Sequence, residues 1–171
     1  MADYGSSRSI VDRMRGAAAL DVATYEEVEN DLNATGQAAI VVCVVALCAA
    51  IGGFRLGPMH MVGSMVSELL GWASWAAITF FIGTRFFGGT ATWGELLRTL
   101  GFAKSPGVLL VLGIIPVLGQ VVQLVVWAWM LVAGIVAIRQ ALDIDTGKAV
   151  LVAVCGFAVQ FVIQMLLGMA R

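Results

Sequence analysis

The stretch PGVLLVLGIIPVLGQVVQLVVWAWMLVAGIVAI, Pro106 to Ile138, carries no charge from end to end. As one helix it would be roughly 50 Å long and would overshoot a bilayer core of about 30 Å. It therefore needs a break, which Pro116 to Gln120 (PVLGQ) supplies: proline removes a backbone donor, glycine loosens the chain and glutamine suits an interface. The spacing predicts a short third membrane helix over 106–117 and a fourth over 120–140. At about twelve residues the third is short enough to be tilted, shallow or re-entrant.

Outward from this stretch, residues 148–170 form a fifth apolar run, and TGQAAIVVCVVALCAAIGGF over 35–54 forms the first. The second, 61–82, is interrupted by Glu68, and the uncharged Leu69 to Gly83 is too short to span alone. The helix must begin before Glu68 and carry its carboxyl into the membrane. Five spans place Arg8, Arg13, Arg15, Arg85, Arg98, Lys104, Arg139 and Lys148 on one side, against Arg55 and Arg171 on the other. Were Pro106 to Ile138 a single span, the division would be seven against three. Basic residues favour the cytoplasm, so five spans with the N-terminus inside and the C-terminus outside is the better account.

Composition agrees. Of 171 residues, 60% are hydrophobic and 12% charged, with a mean hydropathy of +0.95; a soluble domain carries about a quarter charged residues. The expectation is an all-α integral membrane protein, a bundle of five transmembrane helices over 35–170 behind a cytoplasmic segment, 1–34. That segment is polar and lacks the apolar core of a cleaved signal, so the first spanning helix is expected to do the targeting. A net charge of -1 gives no basic stripe for nucleic acid. Cys43, Cys48 and Cys155 lie in apolar runs without a CxxC pair, encoding neither a disulfide framework nor a zinc site.

Two polar segments read as interfacial helices. Ile10, Val11, Met14, Ala17 and Ala18 recur at helical spacing among Arg8, Arg13 and Arg15, which suits an anionic leaflet. Thr24 and Glu27 read as a capping box, with Tyr25, Val28 and Leu32 on one face. A second box, Thr92 with Glu95, opens a helix over 92–100 that Gly101 ends and that Trp93 anchors at headgroup level. The alternative for these segments is a polar loop with accidental periodicity.

The order of these pieces resembles the Yip1 domain family, particularly its short bacterial members. The resemblance is carried by TWGELLRTLGFAKSP (Thr92 to Pro106), the IP-x-x-G of Ile115, Pro116 and Gly119, RQALDIDTGKA (Arg139 to Ala149) and RMRGAAALDVATYEEVENDLNATGQA ahead of the first span. It implies five membrane helices, a cytoplasmic N-terminus and, from the bacterial members, a bacterial cytoplasmic membrane. Eukaryotic members are associated with vesicle trafficking and small GTPases of the Rab type, whereas bacterial members offer no settled activity. This chain lacks the DLYGP motif and has Phe102 where a GY pair is expected, which argues against a GTPase partner.

Glu68 is the sharpest candidate for chemistry, because an intramembrane carboxylate is costly and tends to face a bundle interior or wet cavity. Ser64, Gly71 and Trp72 flank it at helical spacing. Gln120 and Gln123 share one face, and Gln160 and Gln164 recur four apart on the last helix between Gly156 and Gly168. These amides line a polar path or serve as interhelical glue worth on the order of 1 kcal/mol each. If Glu68 has a partner, Gln160 or Gln164 is the first expectation.

His60, the chain's single histidine, lies among Pro58, Met59, Met61 and Met65, a weak signal for soft copper against ordinary interfacial packing. The scarcity of histidine weakens Ser/His/Asp, Cys/His and HExxH chemistry, and Gly52-Gly53 and Gly88-Gly89 lack the lysine of a phosphate loop. Neither an enzyme nor a cofactor is expected. Two functions are carried forward: a non-enzymatic module acting in membrane organisation or partner binding, and a small oligomeric transporter or channel-like protein with a polar site around Glu68. The partners expected are the lipid bilayer and a membrane protein or second copy.

Overall fold

The structure, a computed structural model, describes residues 8–53 and 58–169, with side chains at all of these except 58–62, 64 and 163–169. Among the described residues there is no strand. The helices are α1 (Ile10–Ala18), α2 (Val22–Asn30), α3 (Ala34–Gly52), α4 (Pro58–Phe86) and α5 (Trp93–Ala103). A ten-residue 3-10 segment (Ser105–Ile114), α6 (Leu118–Ala141) and α7 (Thr146–Met169) follow.

Among the described residues four helical stretches are long and apolar enough to cross a membrane, Ala34–Gly52, Met65–Phe86, Trp93–Ile114 and Leu118–Ala141, and α7 is apolar from Thr146 to its last described side chain, Val162. The break between the third and fourth falls where Pro116 and Gly119 were expected to put it. The third differs from expectation: the helix over 92–100 does not lie apart from the short helix over 106–117. α5 runs on into the 3-10 segment as one path. The Thr92–Glu95 capping box starts it, and from Arg98 to Ala103 every residue is buried.

Glycines explain this entry into the bundle. A β-carbon on Gly101 would stand 2.7 Å from the Ala38 β-carbon, one on Gly107 2.5 Å from a Val45 methyl, and one on Gly113 3.2 Å from the Gly52 α-carbon. The path from Gly101 to Gly113 thus follows α3 from Ala38 to Gly52, in the same direction and in backbone contact. Over that interval α3 rises about 21 Å at 1.5 Å per residue. The partner path has fewer residues and reaches about 23 Å because the 3-10 form rises roughly 2.0 Å per residue. Stretching into the 3-10 form keeps each glycine opposite its partner.

A tight reversal then returns the chain. Val117 has φ 65° and ψ -55°, and the Leu118 amide donates to the Pro116 carbonyl at 2.8 Å, a γ-turn that a β-branched residue adopts only under strain. Gly119 makes the reversal possible, since a β-carbon there would stand 2.7 Å from the Gly113 carbonyl oxygen.

In α1, Arg13 departs from the leaflet-facing position expected of it. Arg13 is 1% exposed and Ala17 fully buried, while Val11 faces out. α1 is folded inward because its arginine has fixed anionic partners within the protein. The Thr24–Glu27 capping box is also corrected: Asp21 is the N-cap of α2, accepting from the Thr24 amide. Tyr25 and Val28 share a buried face, but α2 ends at Asn30 and leaves Leu32 exposed and off that face.

Candidate functional site

Polar chemistry concentrates in two places. The first joins the N-terminal helices to the bundle. Arg13 donates to Glu27 Oε1 at 2.9 and 3.1 Å, to Asp31 Oδ2 at 2.7 Å and to Gln37 Oε1 at 2.9 Å. One guanidinium therefore ties α1 to α2, to the α2–α3 junction and to the first turn of α3. The hydrogen bond from Arg13 holds the Asp31 carboxyl below its ordinary range.

The helix ends are closed by long side chains from elsewhere. Arg98, 4% exposed, donates from Nε to the Val28 carbonyl at 3.0 Å and also to the Glu29 carbonyl. These are orphan acceptors at the C-terminus of α2, where a cation is favoured by the helix dipole. At the end of α1, the Ala17 carbonyl accepts from the Tyr25 hydroxyl at 3.0 Å and the Ala18 carbonyl from Trp129 Nε1 at 2.8 Å. Gln140 on α6 adds a bond to Glu26 at 3.1 Å.

Glu29 sits above this junction. Burial, reinforced by the carboxylates of Asp143, Glu95 and Glu26 and opposed by Arg98, raises its carboxyl from 4.5 to about 7. An acid whose folded value is raised costs nothing below its unfolded value and destabilises increasingly as pH rises toward the folded one. Stability is therefore expected to fall between about pH 4.5 and 7 and then level off. Melting Glu29→Gln beside wild type in detergent at pH 5.5 and 8 checks this: the variant should lose part of the pH dependence and be the more stable at pH 8. An unchanged pH dependence would contradict it.

The second place is the Glu68 carboxyl. Lys104, at the step from α5 to the 3-10 segment, donates from Nζ to Glu68 Oε1 at 2.6 Å. The lysine side chain is 24% and the glutamate 36% exposed, so the pair is half-buried. One turn along α4, Trp72 Nε1 donates to the Leu97 carbonyl at 3.0 Å. The two bonds fasten α4 along α5.

This is not the partner expected from sequence. Glu68 takes Lys104, and among the described residues no hydrogen bond joins it to Gln120, Gln123 or Gln160. Gln120 and Gln123 are exposed on α6. Gln160 turns its Oε1 into the protein, where it has no partner among the described residues, and the side chain of Gln164 lies outside the described residues, as do those of Met59, His60 and Met61. Among the described residues no group of three His, Cys, Asp or Glu side chains could hold a metal ion.

Sequence reading missed Lys104 because it was counted among the loop charges. The available signal was its position between a capped amphipathic helix and an apolar run, at the depth where an intramembrane acid needs a counter-ion. Comparison with family models gives a match to the Yip1 domain over residues 22–168. No curated protein and no solved structure matches the chain.

Proposed function

From the premise that this chain belongs to the Yip1 domain family, we propose that it is a non-enzymatic membrane module of five spanning helices that acts through its outer surfaces in membrane organisation or partner binding. The proposal places the N-terminus in the cytoplasm of a bacterial cell, with the C-terminus outside. It counts α7 as a fifth span, since that helix runs 24 residues, Thr146–Met169, over the apolar run 148–170.

The observation that carries the reading is the Glu68–Lys104 ion pair. A carboxylate within a span marks a substrate or proton path when it is left facing water or other titratable groups. Here the Glu68 carboxylate is paired with a lysine at the α5 to 3-10 step, and Gln120 and Gln123 of α6 are exposed and make no hydrogen bond to it among the described residues. Such a pair is a staple between helices. Large side chains exposed along the spans, including Leu70, Val121, Leu124, Trp127, Phe157 and Phe161, leave broad apolar surface for lipid or a partner helix.

A double-mutant cycle tests the staple. Glu68→Gln and Lys104→Gln should each lower the melting midpoint, and the double variant should lose less than the sum, with a coupling of about 1–2 kcal/mol. Additive losses would remove the observation on which the reading stands.

A further inference from the structure

α4 and α7 are in contact where Gly156 lies against Trp75 and Thr79, and α4 finishes and α7 begins at the same end of the bundle. That common end is fixed by Gly83 and Gly89 lying against Leu142, and by Thr90 donating to Asp143 at 3.3 Å. Between the helices lies a groove of about 710 Å³, within the range of about 300–1,000 Å³ typical of ligand sites. Its walls are apolar: Ile78, Phe81, Ile82 and Phe86 on one side, Cys155 and Val159 on the other. Phe81 and Phe86 meet edge to face at 6.1 Å.

The charges that continue these walls identify an occupant. Arg85 follows Ile78, Phe81 and Ile82 by seven, four and three residues, so helical geometry puts it on the groove stripe of α4, one turn towards the bundle end. Lys148 precedes Cys155 by seven and Val159 by eleven, on the matching stripe of α7. Both are exposed. Among the described residues Arg85 has no ion pair, and Lys148 has only Asp145 at 4.0 Å, itself exposed.

We propose that this groove binds one anionic phospholipid, with an acyl chain between α4 and α7 and the headgroup phosphate against Arg85 and Lys148. An apolar slot ending in two cations complements a single chain with an anionic head. A second copy of the protein fits less well, because a two-fold contact sets a patch against itself and would bring four cations together. The inference rests on the chain being a membrane protein and not on its role as a module. Neither Arg85 nor Lys148 touches the Glu68–Lys104 pair, so the two readings fail separately.

The test compares phosphatidylglycerol with phosphatidylcholine of identical acyl chains, each added to delipidated protein and counted by native mass spectrometry. Wild type should retain one phosphatidylglycerol with about thirtyfold preference, each cation contributing roughly fivefold. Arg85→Gln with Lys148→Gln should abolish the preference while leaving lipid retention, and Ala77→Trp, which fills the slot, should abolish both. Unchanged melting midpoints establish that these exposed positions leave the fold intact. Equal retention of the two lipids by wild type, a preference that survives the double substitution, or lipid-free dimers in place of the bound lipid would overturn the proposal.

Discussion

Arg13→Ala is expected to lower folding stability by about 3 kcal/mol, the scale for removing one partner from a buried ion pair. The guanidinium is 2% exposed while Glu27 and Asp31 keep 28% and 23% of their side-chain surface, so water recovers part of the loss and the value sits at the lower end of that scale. The substitution leaves Asp31 without its cation and the Gln37 amide oxygen without its donor, while Glu27 keeps Arg8 at 3.2 Å. Arg15→Ala, on the exposed face of the same helix, should change stability by less than about 0.5 kcal/mol. The Arg13 contribution also has a pH signature. Because Arg13 holds the folded Asp31 carboxyl below its ordinary 3.8, its stabilisation is present above that value and is lost as pH falls through the depressed one. Melting both alanine variants at pH 7 and repeating wild type at decreasing pH checks the claim. Equal losses at positions 13 and 15 would contradict it.

The second large effect is at the glycine seam. A β-carbon on Gly52 would stand 2.1 Å from the Leu110 carbonyl oxygen, a backbone atom held in the 3-10 segment. No rotamer can relieve that overlap, so Gly52→Val must push α3 and the third span apart. Overpacking costs about 1–3 kcal/mol where side chains can move, and the upper end or more is expected here. Gly36→Ala, on the same helix but with nothing within 4 Å of its β-carbon, should be neutral or gain up to about 1 kcal/mol of helix propensity. Thermal melting in detergent separates the two. A Gly52→Val protein as stable as Gly36→Ala would mean that the seam does not hold the spans together.

Much of the architecture was legible because bilayer thickness acts on single stretches of chain. The length of Pro106 to Ile138 alone demanded a reversal, and Pro116 and Gly119 marked it. The Thr92–Glu95 cap was legible because its donors and acceptors lie within one turn. The fate of α5 was not, since its polar face looks interfacial until Arg98 is seen buried against the end of α2 and Gly101 against Ala38. For the same reason Arg13 read as a lipid-facing cation. Its partners are 14, 18 and 24 residues away, and periodicity carries no information about pairs at that distance.

The candidate site divides along the same line. Glu68 stood out because a lone carboxylate in an apolar run is conspicuous. Lys104 did not, because a lysine beside a proline and an apolar run reads as a loop boundary. Lys104 reaches Glu68 from the C-cap of α5, and no local propensity in SPGVLLVLGI encodes the 3-10 form that follows it.

The central claim, that Glu68 fastens helices instead of serving a transported solute, is tested most directly by flux. Wild type and Glu68→Gln are reconstituted in proteoliposomes, proton and solute flux are followed under an imposed pH gradient, and thermal melting is measured on the same preparations. The account predicts no protein-dependent flux in either and a lower melting midpoint in the variant. Flux in wild type that disappears in a variant melting at the same temperature would contradict it.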